Sequence, residues 1–339
     1  MNLSSSKSPA VRRMLALSLL CASLHTGVAQ AASTDAEFDA LLIDKKFTEA
    51  YSLAQARIKA DATDGVAIFA LSSVALSGKI PNAEKAREDA LKTVEACLAA
   101  NPKSFECTRA ASQLYGVLAM SGGMMAGIKY APKIKDYMLK AVELDPKNFD
   151  ARRDLNQFYL QAPGIAGGSV SKARANAEAF KQHNANLAKL LLVEVHLYEK
   201  EFPQAQKLLT EITATDTKTK RLVDNANFGL GVSYINDNKL PESLSLFQKM
   251  AIAQPDSAMA HFGLGRAQLA NKQLDAAIAS LERTLALDSA QPVHYRLGIA
   301  YQENGNKPKA IEAFNKFLSY QSQGKAVDDV NTRLKTLKG

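Results

Sequence analysis

Apolar residues recur three and four positions apart along most of the chain, the spacing of helices that each bury one face. The pattern is clearest in three stretches that align with one another: "NFGLGVSYINDNKLPESLSLFQKMAIAQP", "HFGLGRAQLANKQLDAAIASLERTLALDS" and "HYRLGIAYQENGNKPKAIEAFNKFLSY". Each contains two amphipathic helical segments joined by a short polar turn. The Leu-Gly pairs Leu230-Gly231, Leu264-Gly265 and Leu297-Gly298 fall 34 and 33 residues apart, a period that signals stacked two-helix units. Earlier in the chain the turn before the second helix recurs as "KFTEA" at Lys46 and "EFPQA" at Glu201, as it does in "KLPES" at Lys239. Helix-ending prolines recur at Pro102 and Pro146, and "PKSFECTRAASQLYG" returns 44 residues later as "PKNFDARRDLNQFYL". The pattern predicts an all-α chain of about eight units over residues 32–323. They begin near Ser33, Gly65, Phe105, Phe149, Asn186, Asp224, Ala258 and Gln291, and a capping helix follows over 324–339.

The Gly263-Leu264-Gly265 in this pattern invites a phosphate-loop reading. A dinucleotide loop needs a preceding strand and a third Gly three residues on, where Gln268 stands here. The glycines are expected instead to let neighbouring helices approach closely.

These residues resemble the tetratricopeptide repeat (TPR). Its first helix carries Leu-Gly and then Tyr, and its second an Ala, an aromatic, a further Ala and a closing Pro. Leu230, Gly231, Tyr234, Phe247 and Pro255 match in one copy; Leu264, Gly265, Ala277, Leu281 and Leu285 in the next; Leu297, Gly298, Tyr301, Ala310 and Phe314 in the last. The resemblance is strong after Asn186 and weaker before. It implies a right-handed superhelical solenoid of stacked antiparallel helix pairs with a long concave groove.

Two positions of each first helix lie four apart, on the face that lines the groove in the family. The earlier one reads Phe69, Arg109, Arg153, Leu190, Phe228, Phe262 and Tyr295 along the chain. The later one reads Ser73, Gln113, Gln157, Glu194, Val232, Arg266 and Ile299. A repeated Arg-Gln pair followed by an aromatic row implies a groove with a polar part and an apolar part. The Lys and Asn of chaperone-binding relatives are absent from these positions. An aromatic here also packs against its neighbour helix in many repeats, and an Arg also forms surface salt bridges, so both readings stand.

Three units carry extra residues between their helices: "SGKIPNAEKARED", "SGGMMAGIKYAPKIK" and "QAPGIAGGSVSKAR". Insertions at equivalent turns are expected on one edge, and such edges often bind. Met124 and Met125, with Met120, either contact a partner or pack; a soft metal is the weaker option. Gly167, Gly168 and Ser169 read as a helix N-cap whose amides either cap or hold an anion.

The N-terminus changes the context. Lys7, Arg12 and Arg13 precede the apolar run "MLALSLLCASL", and Ala29-Gln30-Ala31 supplies a small-x-small pattern, the signature of a signal peptide over 1–31 cut near Ala31. The run is too short for a membrane span; an uncleaved anchor and lipidation at Cys21 are the rival readings. The expected location is periplasmic or secreted. Cys97 and Cys107 would then form a disulfide in an oxidising compartment, with two buried thiols as the alternative.

Charge adds little. The chain has 42 basic residues, three of them in the leader, against 34 acidic ones, and the two signs are interleaved. Nucleic-acid binding would want a dense basic stripe with stacking aromatics. No nucleotide-loop, nucleophile-elbow or zinc-protease motif occurs, and His183, His196, His261 and His294 fall at places where structural roles suffice. The expectation is a non-enzymatic scaffold of the cell envelope without cofactor or metal, binding an unidentified protein in the groove or on the inserted edge. Self-association is open. The alternative is a periplasmic carrier or uptake-system component for a small apolar molecule or lipid.

Overall fold

The computed structural model describes residues 35–289 and 292–339. The leader and the expected start of the eighth unit at Gln291 lie outside the described residues. Among these residues are 17 α-helices, one short 3-10 turn and no strand. The chain forms two compact units that divide between Leu191 and Leu192, inside one helix.

The first unit contains helices α1 (Ala36–Ile43), α2 (Phe47–Ala60), α3 (Gly65–Ser77), α4 (Ala83–Ala100), α5 (Phe105–Ser121), α6 (Gly123–Leu144), α7 (Phe149–Gln161) and α8 (Val170–Phe180). Helix α9 (Ala185–Glu199) contains the division. The second unit continues with α10 (Phe202–Thr210), α11 (Thr217–Asn236), α12 (Leu240–Ala253), α13 (Ala258–Ala270), α14 (Leu274–Leu287), α15 (His294–Glu303), α16 (Lys307–Leu318) and α17 (Lys325–Lys338). In chain order these are eight helix pairs and a last helix.

Local chemistry sets the boundaries. Asp64, Ser104, Asn148, Asp216 and Ser257 stand at helix N-caps, and each side chain accepts from the backbone N–H three residues on. That satisfies donors the helix cannot pair internally. The turns within pairs share another device. Lys45, Lys200, Asn238 and Lys272 adopt positive φ, as Gly305 does in the last pair. The left-handed residue reverses the chain in two or three residues, at a steric cost that only Gly escapes.

Burial follows the repeat. Phe38, Ile68, Val74 and Val94 are fully enclosed in the first unit, and Phe247, Leu281, Phe314 and Val330 in the second. Val327, Val330 and Leu334 of α17 cover the apolar side of the last pair. Glycines of the repeat sit against large buried side chains of the second helices. A Cβ on Gly231 would lie 2.4 Å from the Phe247 ring, one on Gly263 2.1 Å from the same ring, and one on Gly298 2.4 Å from Phe314. A Cβ on Gly265 would lie 2.7 Å from Leu281. The Gly-x-Gly is a packing feature, inside a helix that supplies no phosphate loop.

One expectation needs correction. "SGGMMAGIKYAPKIK" is not an inserted loop: α6 runs unbroken through it. Met, Ala and Lys favour helix, and the added turns are held by Tyr115, whose ring meets Tyr130 at 5.5 Å and Tyr137 at 6.0 Å. Pro132 sits inside this helix. It removes one backbone hydrogen bond without ending the helix.

Candidate functional site: the first-helix face

In the first unit the expected polar pair is already occupied. Arg109 is 4% exposed. Its guanidinium donates to Asp154 Oδ2 at 2.9 Å and lies 5.0 Å from the Phe69 ring centre and 5.9 Å from that of Phe105. Burial pushes the Asp154 carboxyl upward against the opposing pull of Arg109. Arg109 is thus a strut between two helices rather than an available donor, because α7 supplies a carboxylate that the repeat pattern gives no reason to expect there. Gln113 is half-buried and Leu190 is buried. Arg153 and Gln157 are half-buried, and each already has an interaction in the fold. Beside them runs a chain of buried amides: Arg152 donates to Asn176, Asn176 donates to Asn156, and Asn156 donates to the Leu191 carbonyl.

The inserted segments separate into two kinds. Met120 at the end of α5 and Met124, Met125 and Ile128 at the start of α6 are all more than half exposed. Met124 and Met125 therefore neither pack nor lie in a loop. Ser169 caps α8 by accepting from Lys172 N. The preceding amides are spent internally: Gly167 N–H goes to Gly164 O, Gly168 N–H to Pro163 O and Ser169 N–H to Tyr159 O. The anion-holding reading of Gly167, Gly168 and Ser169 therefore loses these donors. Gly168 is needed for closeness, since a Cβ there would fall 1.7 Å from the Ala162 carbonyl oxygen.

The second unit brings the expected aromatic row together. Phe228 and Phe262 stack with centres 6.2 Å apart and planes 14° from parallel. Phe228 also meets Phe247 edge-on at 5.5 Å, and Tyr295 meets Phe317 at 5.5 Å. The three residues are half-buried, with part of each side chain left to solvent. Arg266 stands over both phenyl rings, 5.8 Å from the Phe228 centre and 5.7 Å from that of Phe262. Burial, with the charge of Arg296, pushes the Arg266 guanidinium down to about 9.

Arg296 was not signalled by the two groove positions. It lies 5.2 Å from the Tyr295 ring centre, and burial also lowers its pKa. In alignment it takes the place held by Gly229 and Gly263 in the two preceding units, which is the signal that marks it. Neither Arg266 nor Arg296 has an ion pair or side-chain hydrogen bond among the described residues. The nearby carboxylate, Asp329, accepts from Tyr295 Oη at 2.9 Å and from Arg333 Nε at 2.7 Å; Arg333 also donates to Gln302.

The histidines have local structural contacts. His196 Nδ1 is 2.6 Å from Glu201, and His261 Nε2 is 2.9 Å from the Pro255 carbonyl. The rings of His183 and His294 pack against Phe180 and Tyr320. Among the described residues no group of three His, Cys, Asp or Glu is placed to hold a metal ion, and no helix is long and apolar enough to cross a membrane.

Two family models, each described as tetratricopeptide repeat, match residues 229–292 and 293–323. No curated protein matches the chain. Among solved structures, yeast Tom70 aligns with a TM-score of 0.66 at 14% identity, over 99% of this chain and 75% of its own. A chain of the APC/C hetero-tetramer Cut9-Hcn1 aligns with a TM-score of 0.45 at 17% identity, over 89% of this chain; the match spans 55% of that longer chain. A tetratricopeptide repeat protein from Parabacteroides merdae aligns with a TM-score of 0.46 at 11% identity, over 94% of this chain and 100% of its own. At these identities the Tom70 likeness is one of fold, and it extends beyond the matched repeats. The repeat models make residues 229–323 tetratricopeptide repeats, and the helix pairs before them share that fold.

Proposed function

We propose that this protein is a non-enzymatic interaction scaffold that acts after export into the cell envelope, and that it holds a segment of another protein against the first-helix face of its second unit. The observation that carries the reading is the half-buried row Phe228, Phe262 and Tyr295 with Arg266 laid across two of its rings. Aromatic faces beside a guanidinium supply large contact area and directional donors together, a combination enriched where proteins bind proteins. The export part of the reading rests on the charged, apolar and small-residue sequence of 1–31. Cys97 and Cys107, with Cα atoms 6.4 Å apart, are close enough to pair in such a compartment.

The test compares the tagged chain with its F228A/F262A/Y295A variant, both expressed in the native host and captured from the envelope fraction. Quantitative mass spectrometry should show a polypeptide enriched at least about tenfold with the parent chain, as expected when several central aromatic contacts are lost. A co-purifying lipid or small apolar molecule, lost in the variant, would support the carrier reading instead. Equal enrichment with both chains would remove the aromatic row from the interaction. Sequencing the N-terminus of the captured chain tests cleavage near Ala31.

A further inference from the structure

We infer that Arg266 and Arg296 form a seat for a carboxylate side chain, so that the segment bound by the second unit carries an Asp or Glu flanked by apolar residues. The inference deepens the binding reading above and rests on it.

The argument begins with what the fold leaves undone. Arg266 and Arg296 come from the first helices of consecutive pairs, and each is partly buried. Their charges act on one another, since Arg296 helps push the Arg266 guanidinium down to about 9. Placing two like charges together in a partly dehydrated site is unfavourable unless an opposite charge offsets it. The fold provides such a charge elsewhere: Arg109 has Asp154, and Arg333 has Asp329. It provides none within ion-pair distance of Arg266 or Arg296 among the described residues.

Geometry supports the same reading. Arg266 lies over Phe228 and Phe262, and Arg296 over Tyr295. A guanidinium on a ring face keeps its planar edge of N–H donors for a carboxylate. The rings hold the cations in place, which lowers the entropy lost when an anion binds. Asp329 is close enough to act on Arg296, but its Oδ2 already accepts from Tyr295 and Arg333. In a bound protein segment the anion that offers two oxygens to the edge of a guanidinium is the carboxylate of Asp or Glu.

The test selects a display library of random dodecapeptides, held internally so that no peptide has a free C-terminus, on the purified full chain. Selected peptides should carry Asp or Glu next to an aliphatic or aromatic residue. A synthetic, end-capped peptide of the selected sequence should lose at least about tenfold in affinity on acid-to-amide replacement. It should lose as much against R266Q or R296Q and little against R283Q, which alters an arginine paired with Asp256. The two losses should not add when the acid-to-amide peptide meets R266Q/R296Q, since both remove one interaction. Both arginine variants should keep the melting temperature of the parent chain, because neither arginine makes an ion pair in the fold.

Selected peptides without acidic residues, whose binding F262A abolishes, would overturn the seat and leave the binding face standing. Acidic peptides that bind R266Q/R296Q as well as the parent would also overturn it. Failure to select any peptide would count against the seat and the binding face together. A marked fall in melting temperature in R266Q or R296Q would assign these arginines to the fold and overturn the proposal.

Discussion

Gly229 and Gly263 stand at the same place in two units that both read Phe-Gly-Leu-Gly, yet they have different surroundings. A Cβ on Gly263 would strike the fully buried Phe247 ring, whereas one on Gly229 would find its nearest neighbour, Leu197 Cδ1, at 4.0 Å. Gly263→Ala should therefore destabilise the chain by about 1–3 kcal/mol through overpacking. Gly229→Ala should stabilise it by about 0.5–1 kcal/mol, since Ala is the better helix former. Urea melts of the two variants check both signs. The sequence showed that Gly231 and Gly263 pack, but not which ring reaches them, because Phe247 enters from a second helix and serves both. His294 gives a pH expectation. Burial and Lys316 hold its pKa below the ordinary value, and its Nδ1 is buried without a partner. The folded state thus resists a proton that the unfolded state takes up near pH 6.5. Stability should be full above that pH and fall as the pH drops below it. The difference in unfolding free energy between parent and His294→Gln should shrink over that range; a difference independent of pH would refute the assignment.

Elements were legible where the period is clean and obscure where tertiary contacts overrule it. The second-unit helix pairs follow the Leu-Gly spacing, and the N-caps Asp216 and Ser257 are of the types that sequence rules favour. The helix over 123–144 was hidden behind its glycines and Pro132, because what extends it is the Tyr115, Tyr130 and Tyr137 cluster, contributed partly by another helix. The left-handed turn residues were equally hard to see, since lysine at Lys45, Lys200 and Lys272 is no signature of positive φ. A disulfide between Cys97 and Cys107 would link the second helix pair to the third. Their Cα atoms are 6.4 Å apart at a sequence separation of 10. A disulfide closing so short a loop contributes about 2.5–3 kcal/mol on the chain-entropy model. C97S/C107S should lose that amount relative to the oxidised chain, and excess dithiothreitol should lower the parent to the level of the variant. A parent chain that reductant leaves unchanged would show that these are two thiols.

For the whole molecule, stability in a repeat protein is approximately a sum over units and their interfaces, while binding needs a surface that the sum does not consume. The two units differ in this respect. In the first, the charged groove candidate Arg109 is neutralised by Asp154 and enclosed by rings. In the second, Arg266 and Arg296 keep their charge without an ion pair, beside aromatic rings that are half exposed. Sequence spacing placed Phe228, Phe262, Tyr295 and Arg266 on one face. It missed Arg296, and it left Arg109 open between a groove contact and a salt bridge, because neither an extra cation nor an opposing acid is written into a repeat period. The exposed Met120, Met124, Met125 and Ile128 form the competing surface. The measurement that separates the two is a photo-cross-linking walk in the native host, with a benzophenone side chain placed in turn at Phe228, Phe262, Tyr295, Met120, Met124 and Ile128. The account expects one protein adduct shared by the three aromatic positions and weak or absent at the other three. The same adduct at Met120 and Met124, with none at Phe262 or Tyr295, would contradict it.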